Sequence, residues 1–365
     1  MIHIFVGTKA QFIKMAPIMQ ELDQRGIAYN FIDAGQHAGL TGSIVSQFQL
    51  RNPDISLRTD KTNITTKRHA ILWTLQNIFN IIWQKKKVYQ AIFQSQPGIC
   101  LIHGDTLTTL LSLLYAKRCG IQVGHVEAGV RSFHLFDPFP EEIIRLIASR
   151  FSDYLFSPSP EAYQNLSKMG HAAKTIDTGA NTILDTVRYA QKNLNGQAET
   201  KQPYAIVTIH RFETIHSRSR LTLILNLLDQ ISETHRVIFV QHGPTRLQLD
   251  RFGFSDRLEQ NQNIEIIPLQ PYLTFIQLIT EAEFVITDGG SIQEECYYLN
   301  IPCLIMRAKT EHAQGEGTNI RLANFDQTQI NAFLEGYQNL RRTESKDDVF
   351  PAKTIVDTVL AGHSQ

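Results

Sequence analysis

Short apolar runs that stop at glycine or at an acid, each followed by a longer stretch with helical spacing, recur along most of this chain. His3 to Gly7 reads as the first such strand. Ala10 to Arg25 follows with Phe12, Ile13, Ala16, Ile18, Met19 and Leu22 on a helical period, and Gly26 stops it. Tyr29 to Ala34 reads as the next strand. The stretch 65–94 reads as a long helix with Ile71, Leu72, Leu75, Ile78 and Ile82 on one face. Ile99 to His103 reads as a strand, Leu107 to Cys119 as a helix and Ile121 to Val126 as a strand. Few folds accept this order. Strands separated by helices lie parallel, so the pattern predicts an α/β fold with a doubly wound sheet carrying helices on both faces.

The pattern restarts after a polar stretch near 191–202. Ala205 to Thr208, Val237 to Val240, Ile264 to Ile267 and Phe284 to Thr287 read as strands, and Leu221 to Ile231 as a helix. Two facing Rossmann-like domains are therefore expected: 1–185, then 186–350, with a boundary between 182 and 202. A C-terminal helix in 351–365 is expected to pack on either domain. The halves are not a sequence repeat. Two such domains would leave a cleft between the carboxyl ends of both sheets, the usual ligand position in this architecture.

Composition excludes several classes of function. The 35 lysines and arginines balance 35 aspartates and glutamates, which argues against a dedicated nucleic-acid or membrane-surface binder. No apolar run is long enough to span a bilayer, and MIHIFVGTKAQFIKM lacks the plan of a secretory signal. Cys100, Cys119, Cys296 and Cys303 form no CxxC pair, so neither a disulfide framework nor a zinc knuckle is expected. The histidines show no ligand spacing, and no GxGxxG with a following acid marks a nicotinamide site. The expectation is a cytoplasmic protein with no metal, cofactor, nucleic-acid or membrane partner.

Six stretches carry possible chemistry. Gly7-Thr8-Lys9, before a helix containing Lys14, suits a phosphate or another polar ligand. His103-Gly104-Asp105-Thr106 ends an apolar strand; Asp105 reads equally as a helix cap or a site residue. One crossover later, His125-Val126-Glu127-Ala128-Gly129-Val130-Arg131 puts a glutamate at the next strand end, where it is a poor cap and an expensive buried group. Adjacent parallel strands would bring Asp105 and Glu127 together. Asp137-Pro138-Phe139-Pro140-Glu141-Glu142, with Arg145, delivers Glu141 to a first helical turn; an ordinary Glu141–Arg145 pair is the alternative and is compatible with catalysis. His210-Arg211 closes the first strand of the second half and suits a diphosphate. Thr287-Asp288-Gly289-Gly290-Ser291 leads into a helix whose start can cradle a phosphate, with Glu295 about one turn inside, able to accept the hydroxyls of a ribose.

Taken in order, these stretches resemble the UDP-N-acetylglucosamine 2-epimerase family, over roughly residues 3 to 320. The resemblance is carried by Gly7-Thr8, Lys14-Met15-Ala16-Pro17, Gly35-Gln36-His37, HGDT at 103–106, HVEAG at 125–129 with Arg131, PFPEE at 138–142 with Arg145, VTxHR at 207–211, and TDGGSIQEE at 287–295 with Arg307. It implies a glycosyltransferase-B type fold. It implies a homodimer, no cofactor, and a non-hydrolysing isomerase that interconverts UDP-GlcNAc and UDP-ManNAc for surface polysaccharide biosynthesis, with a hydrolysing or diacetamido-sugar-specific UDP-sugar 2-epimerase of the same family as the alternative. It implies that Asp105, Glu127 and Glu141 are the acid/base carboxylates, and that Lys14 and His210 assist near the diphosphate and sugar. Gly290 would hold the diphosphate and Glu295 the ribose. Lys9, His37, Arg131, Arg145, Arg211, Gly289, Ser291 and Arg307 complete the expected binding set.

The departures concern the ligand shell. The usual GTRPE reads Gly7-Thr8-Lys9-Ala10-Gln11, HRREN reads His210-Arg211-Phe212-Glu213-Thr214, and DSGG reads Asp288-Gly289-Gly290-Ser291. Ile144 stands where asparagine is common, and TERPE reads Thr310-Glu311-His312-Ala313-Gln314. All three carboxylates remain. Inverting C2 of a nucleotide sugar needs a stabilised diphosphate leaving group and acid/base groups on both faces of C2. A glycosyltransferase of the same fold needs one base at an acceptor, and a non-catalytic UDP-sugar binder needs only the sixth stretch. The carboxylate set speaks against both.

Overall fold

A computed structural model describes residues 1–35, 38–57, 84–135, 139–193, 203–310, 314–341 and 348–362. His37, most of the helical stretch 65–94, Asp137-Pro138, part of the boundary stretch 191–202 and Glu311-His312-Ala313 lie outside the described residues.

The chain divides into two compact units, 1–186 with 347–365, and 187–346. In the first, among the described residues, seven parallel strands form one sheet: β1 (Ile2–Val6), β2 (Tyr29–Asp33), β3 (Ile55–Ser56), β4 (Ile99–His103), β5 (Gln122–Val126), β6 (Tyr154–Ser157) and β7 (Thr175–Asp177), in the order β3-β2-β1-β4-β5-β6-β7. β1, β2 and β4 are buried along their whole length. That is why apolar residues dominate them without a strict alternation, and why the polar His3 and Asn30 they contain are buried and paired with each other. Register places Leu101 opposite Gly124 and His103 opposite Val126. Gly124 gives the Leu101 side chain room, since a Cβ there would stand 2.7 Å from Leu101 Cδ2 and make it shift.

The helix Lys9–Gln24 follows β1, and Leu107–Cys119 joins β4 to β5. The helix Pro351–Gly362 belongs to this first unit: the Arg25 guanidinium meets Asp357 at 2.6 Å, and the Ala352 N–H donates to Asp185 at 2.8 Å.

The second unit repeats the plan with other residues. β8 (Tyr204–Thr208), β9 (Arg236–Gln241), β10 (Ile264–Pro268), β11 (Phe284–Thr287), β12 (Cys303–Ile305) and β13 (Ile320–Leu322) run parallel in the order β10-β9-β8-β11-β12-β13. Its core gathers Val207, Leu225, Leu228, Phe239, Phe284, Ile286 and Phe333.

Strand order reverses once in each sheet, between β1 and β4 and between β8 and β11. Chains leave such a point in opposite directions and open a crevice at the carboxyl ends of the strands. The residues singled out in the sequence concentrate at those ends.

Candidate active site

At the first switch point the crevice is bridged by one side chain. The Gln11 amide donates to His103 O at 2.8 Å, Thr106 Oγ1 at 3.0 Å and Thr109 Oγ1 at 3.1 Å. Its oxygen accepts the N–H of Gly7 at 3.0 Å and of Thr8 at 3.2 Å. The backbone donors that made the first turn look fit for a phosphate are thus engaged internally. Gly7 is needed for packing, because a Cβ would stand 2.7 Å from Thr108 Oγ1. Lys9 begins the helix and is half-buried.

Asp105 is not the helix cap. Thr106 takes that position, its hydroxyl accepting the Thr109 N–H while Thr109 returns the bond. Freed from capping, Asp105 pairs with Arg145, its side chain still 21% exposed. Gly104, at φ 67°, makes the bend between strand and cap. Its N–H donates to Val126 O at 3.0 Å, and its carbonyl accepts His125 Nε2 at 2.8 Å, so the ends of β4 and β5 are laced together. Burial, first of all, pushes His125 down to about 4 and keeps its ring neutral.

Glu127 follows β5 in the left-handed region at φ 67°, a conformation a non-glycine residue keeps only when its surroundings hold it. They do. The Lys14 ammonium and the Asn181 amide both meet its Oε2, and His103 Nε2 lies 3.6 Å away. Lys14 is therefore held on a carboxylate of its own unit. Asn181 carries no local sequence signal; it stands 54 residues further along the chain.

Glu141 opens the helix Glu141–Phe151, whose N-cap Pro140 supplies no side-chain acceptor; two acids in the first turn suit the helix dipole. The ion pairs of Arg145 run to Asp105 and to Glu142, the latter at 3.5 Å. Glu142, to which the sequence alone gave no role, is fully buried and also takes Arg131 Nε and the Ser132 N–H at 3.0 Å. Burial raises its proton affinity, but the Ser132 N–H, Arg131 and Arg145 outweigh that and hold it below the usual carboxylate range. Arg131 further donates to Met169 Sδ at 3.4 Å.

The second unit is bridged at its switch point by Asp288. This buried carboxylate accepts the His210 N–H at 3.0 Å and the Arg211 N–H at 2.9 Å, tying the end of β8 to the end of β11. The His210 ring stacks on His242 with centroids 4.5 Å apart. Burial, then the Arg211 charge, push His210 down to about 4. Arg307, half-buried after β12, acts on it in the same direction.

Gly289 is the N-cap of the helix Gly290–Leu299 and has no side chain to cap with. A Cβ there would stand 2.8 Å from His210 Cε1, so glycine is what lets the ring lie beside the helix start. Ser291 is exposed in the first turn. Such an uncapped amino end presents backbone N–H groups and positive potential. Glu295 is nearly buried on this helix, and its charge acts on the buried Tyr272 hydroxyl. Burial and Glu295 together raise Tyr272 well above its ordinary value, which keeps it a donor.

Residues 20–353 match the sequence profile of the UDP-N-acetylglucosamine 2-epimerase family. The chain belongs to the UDP-N-acetylglucosamine 2-epimerase family. It is an isomerase-family enzyme on that ground. It is 32% identical over 326 residues to a UDP-N-acetylglucosamine 2-epimerase of Methanocaldococcus jannaschii, covering 86% of this chain and 85% of that one. A Pseudomonas aeruginosa UDP-2,3-diacetamido-2,3-dideoxy-D-glucuronate 2-epimerase is 28% identical over 314 residues, 84% of this chain and 83% of that one. A crystal structure of the M. jannaschii UDP-GlcNAc 2-epimerase in complex with UDP-GlcNAc and UDP superposes with a TM-score of 0.83 at 29% identity, covering 99% of each chain. The two parallel sheets are those of a glycosyltransferase-B type fold.

Proposed function

We propose that the chain is a reversible UDP-N-acetylglucosamine 2-epimerase that interconverts UDP-GlcNAc and UDP-ManNAc. One observation carries the reading in this family. Two adjacent parallel strands end in carboxylates, Asp105 and Glu127, each held by its own cation, with Glu141 at a first helical turn nearby in sequence. The carboxylates are assigned to the sugar. His210, Arg211 and the uncapped start Gly289-Gly290-Ser291 are assigned to the diphosphate, and Glu295 to the ribose.

The reaction follows from these groups. The C1–O bond breaks and UDP keeps the electron pair. A carboxylate takes the proton from C2, and a C1–C2 double bond forms. Protonation of C2 from the opposite face and return of the diphosphate oxygen to C1 complete the inversion, with no net change in oxidation. Lys14 and Arg145, already paired with the carboxylates, keep them aimed. Supply of UDP-ManNAc to surface polysaccharide assembly, a cytoplasmic location and a homodimer belong to the same proposal. Among the described residues no helix is long and apolar enough to cross a membrane.

In D₂O, UDP-GlcNAc should become a mixture with UDP-ManNAc, carrying deuterium at C2 of both by NMR. In that assay Glu127→Gln and Glu141→Gln should each lower turnover about 100-fold. Stoichiometric UDP with free N-acetylmannosamine would make the enzyme a hydrolase. Turnover of a diacetamido UDP-sugar alone would keep the chemistry and replace the substrate.

A further inference from the structure

Glu142 makes four contacts, with two arginines and a serine. Its Oε1 accepts Arg131 Nε. Its Oε2 accepts the Ser132 N–H at 3.0 Å and the Ser132 hydroxyl at 3.2 Å, and lies 3.5 Å from Arg145 Nη1. The other terminal nitrogen of Arg145 meets Asp105 Oδ2. One planar guanidinium therefore stands in ion-pair range of both a fully buried carboxylate and a partly exposed one, its Nη1 making no hydrogen bond to the buried one. A guanidinium is rigid, so fixing one nitrogen fixes where the other points.

Burial separates the two ends of this bridge. Glu142 is 0% exposed and clamped by Arg131 and Ser132, whereas the side chain of Asp105 retains 21% exposure. The buried end is the anchor and the exposed end is what the anchor aims. Arg145 could otherwise leave Asp105 for solvent or for a substrate phosphate, at the modest cost of breaking a partly exposed pair.

We propose that Glu142 is a positioning residue for the epimerisation: it locks Arg145 against Asp105 and thereby sets the side-chain orientation in which Asp105 meets the sugar. The inference rests on the reading of Asp105 as an acid/base group. It assigns the two acids of the PFPEE stretch different tasks, Glu141 toward the sugar and Glu142 behind Arg145.

A double-mutant cycle tests it. Steady-state epimerisation, calorimetric UDP affinity and thermal midpoint are measured for Glu142→Gln, Asp105→Asn and the pair. The Glu142→Gln change keeps the shape but loses the charge and turns a donor toward donors. Turnover of this single variant should fall about 10- to 100-fold, with KM and UDP affinity within about twofold. In the Asp105→Asn background the same change should cost less than about twofold more, because its effect runs through Asp105. Full multiplication of the two losses, or near-native turnover of Glu142→Gln, overturns the proposal. Native turnover of Asp105→Asn alone removes the underlying reading and this inference with it. Should Glu142→Gln fail to fold, Arg145→Lys replaces it in the cycle. Lysine keeps the charge but loses the fork, so the same non-additivity is expected, and additive losses overturn the idea.

Discussion

Gln11 shows what a single amide does that a carboxylate cannot. It gives hydrogen bonds to a carbonyl and two hydroxyls while accepting two backbone N–H groups, all in a buried setting where the side chain is 1% exposed. A glutamate, the residue usual in the family at this point, would accept from Gly7 and Thr8 but would set lone pairs against the His103 carbonyl. Replacing Gln11 by leucine strands the Gly7 and Thr8 N–H groups without water, while the His103 carbonyl keeps the Thr109 hydroxyl at 2.7 Å. Chemical denaturation should therefore show a loss of about 2–4 kcal/mol. A loss under about 0.5 kcal/mol would mean that neighbouring groups re-pair and that the bridge is incidental. Glu127, at φ 67°, is the other residue whose backbone is held from outside, by Lys14 and Asn181.

Among the elements, the helix Gly290–Leu299 is the one to which the proposed function assigns the nucleotide. Its start is uncapped because Gly289 must be small beside His210, and Glu295 is nearly buried one turn further on. Glu295→Ala should weaken UDP binding by roughly 1.5–3 kcal/mol, the scale of hydrogen bonds to a charged group. Calorimetry returning the native affinity would move the ribose to another element. Elements long enough to show a pattern are legible in the residues: Ile99 to His103 and the helix Leu107 to Cys119 stand as the periodicity predicts. β6, β7, β12 and β13 are not. Runs of three residues such as Cys303–Ile305 and Thr175–Asp177 are too short to separate an alternating pattern from a buried turn.

For the whole molecule, acid is the informative stress. Burial chiefly holds His125 down to about 4 in the fold, against an ordinary 6.5, with His103, Glu127 and Asp105 as its titratable neighbours. The unfolded chain takes up that proton below pH 6.5 and the folded one only near pH 4. Stability from this group is thus complete above pH 6.5 and is lost as the pH falls toward 4, on the order of 3 kcal/mol in all. His210 shifts in the same direction, but its ring is 31% exposed and its contribution is smaller. Denaturation of the full chain at about pH 7 and about pH 4.5 should show the loss, and His125→Gln, which keeps a donor for the Gly104 carbonyl, should flatten it. An unchanged slope in that variant would place the acid sensitivity elsewhere.

The class of fold and the residues that stand at strand ends are written locally, because strand and helix periods and strand-ending glycines and acids are properties of short windows of the chain. The ordered motifs that assign the family are local in the same sense. The pairing of charges is not. Lys14 reaches Glu127 across 113 residues, Asn181 reaches the same carboxylate across 54, and Arg145 meets Asp105 and Glu142. Those choices depend on β4 lying between β1 and β5, and on Thr106 instead of Asp105 capping the following helix. Lateral strand order is fixed by which buried faces pack best over the whole sheet. No local window contains that sum, so the cation each carboxylate meets is settled only when the sheet is assembled.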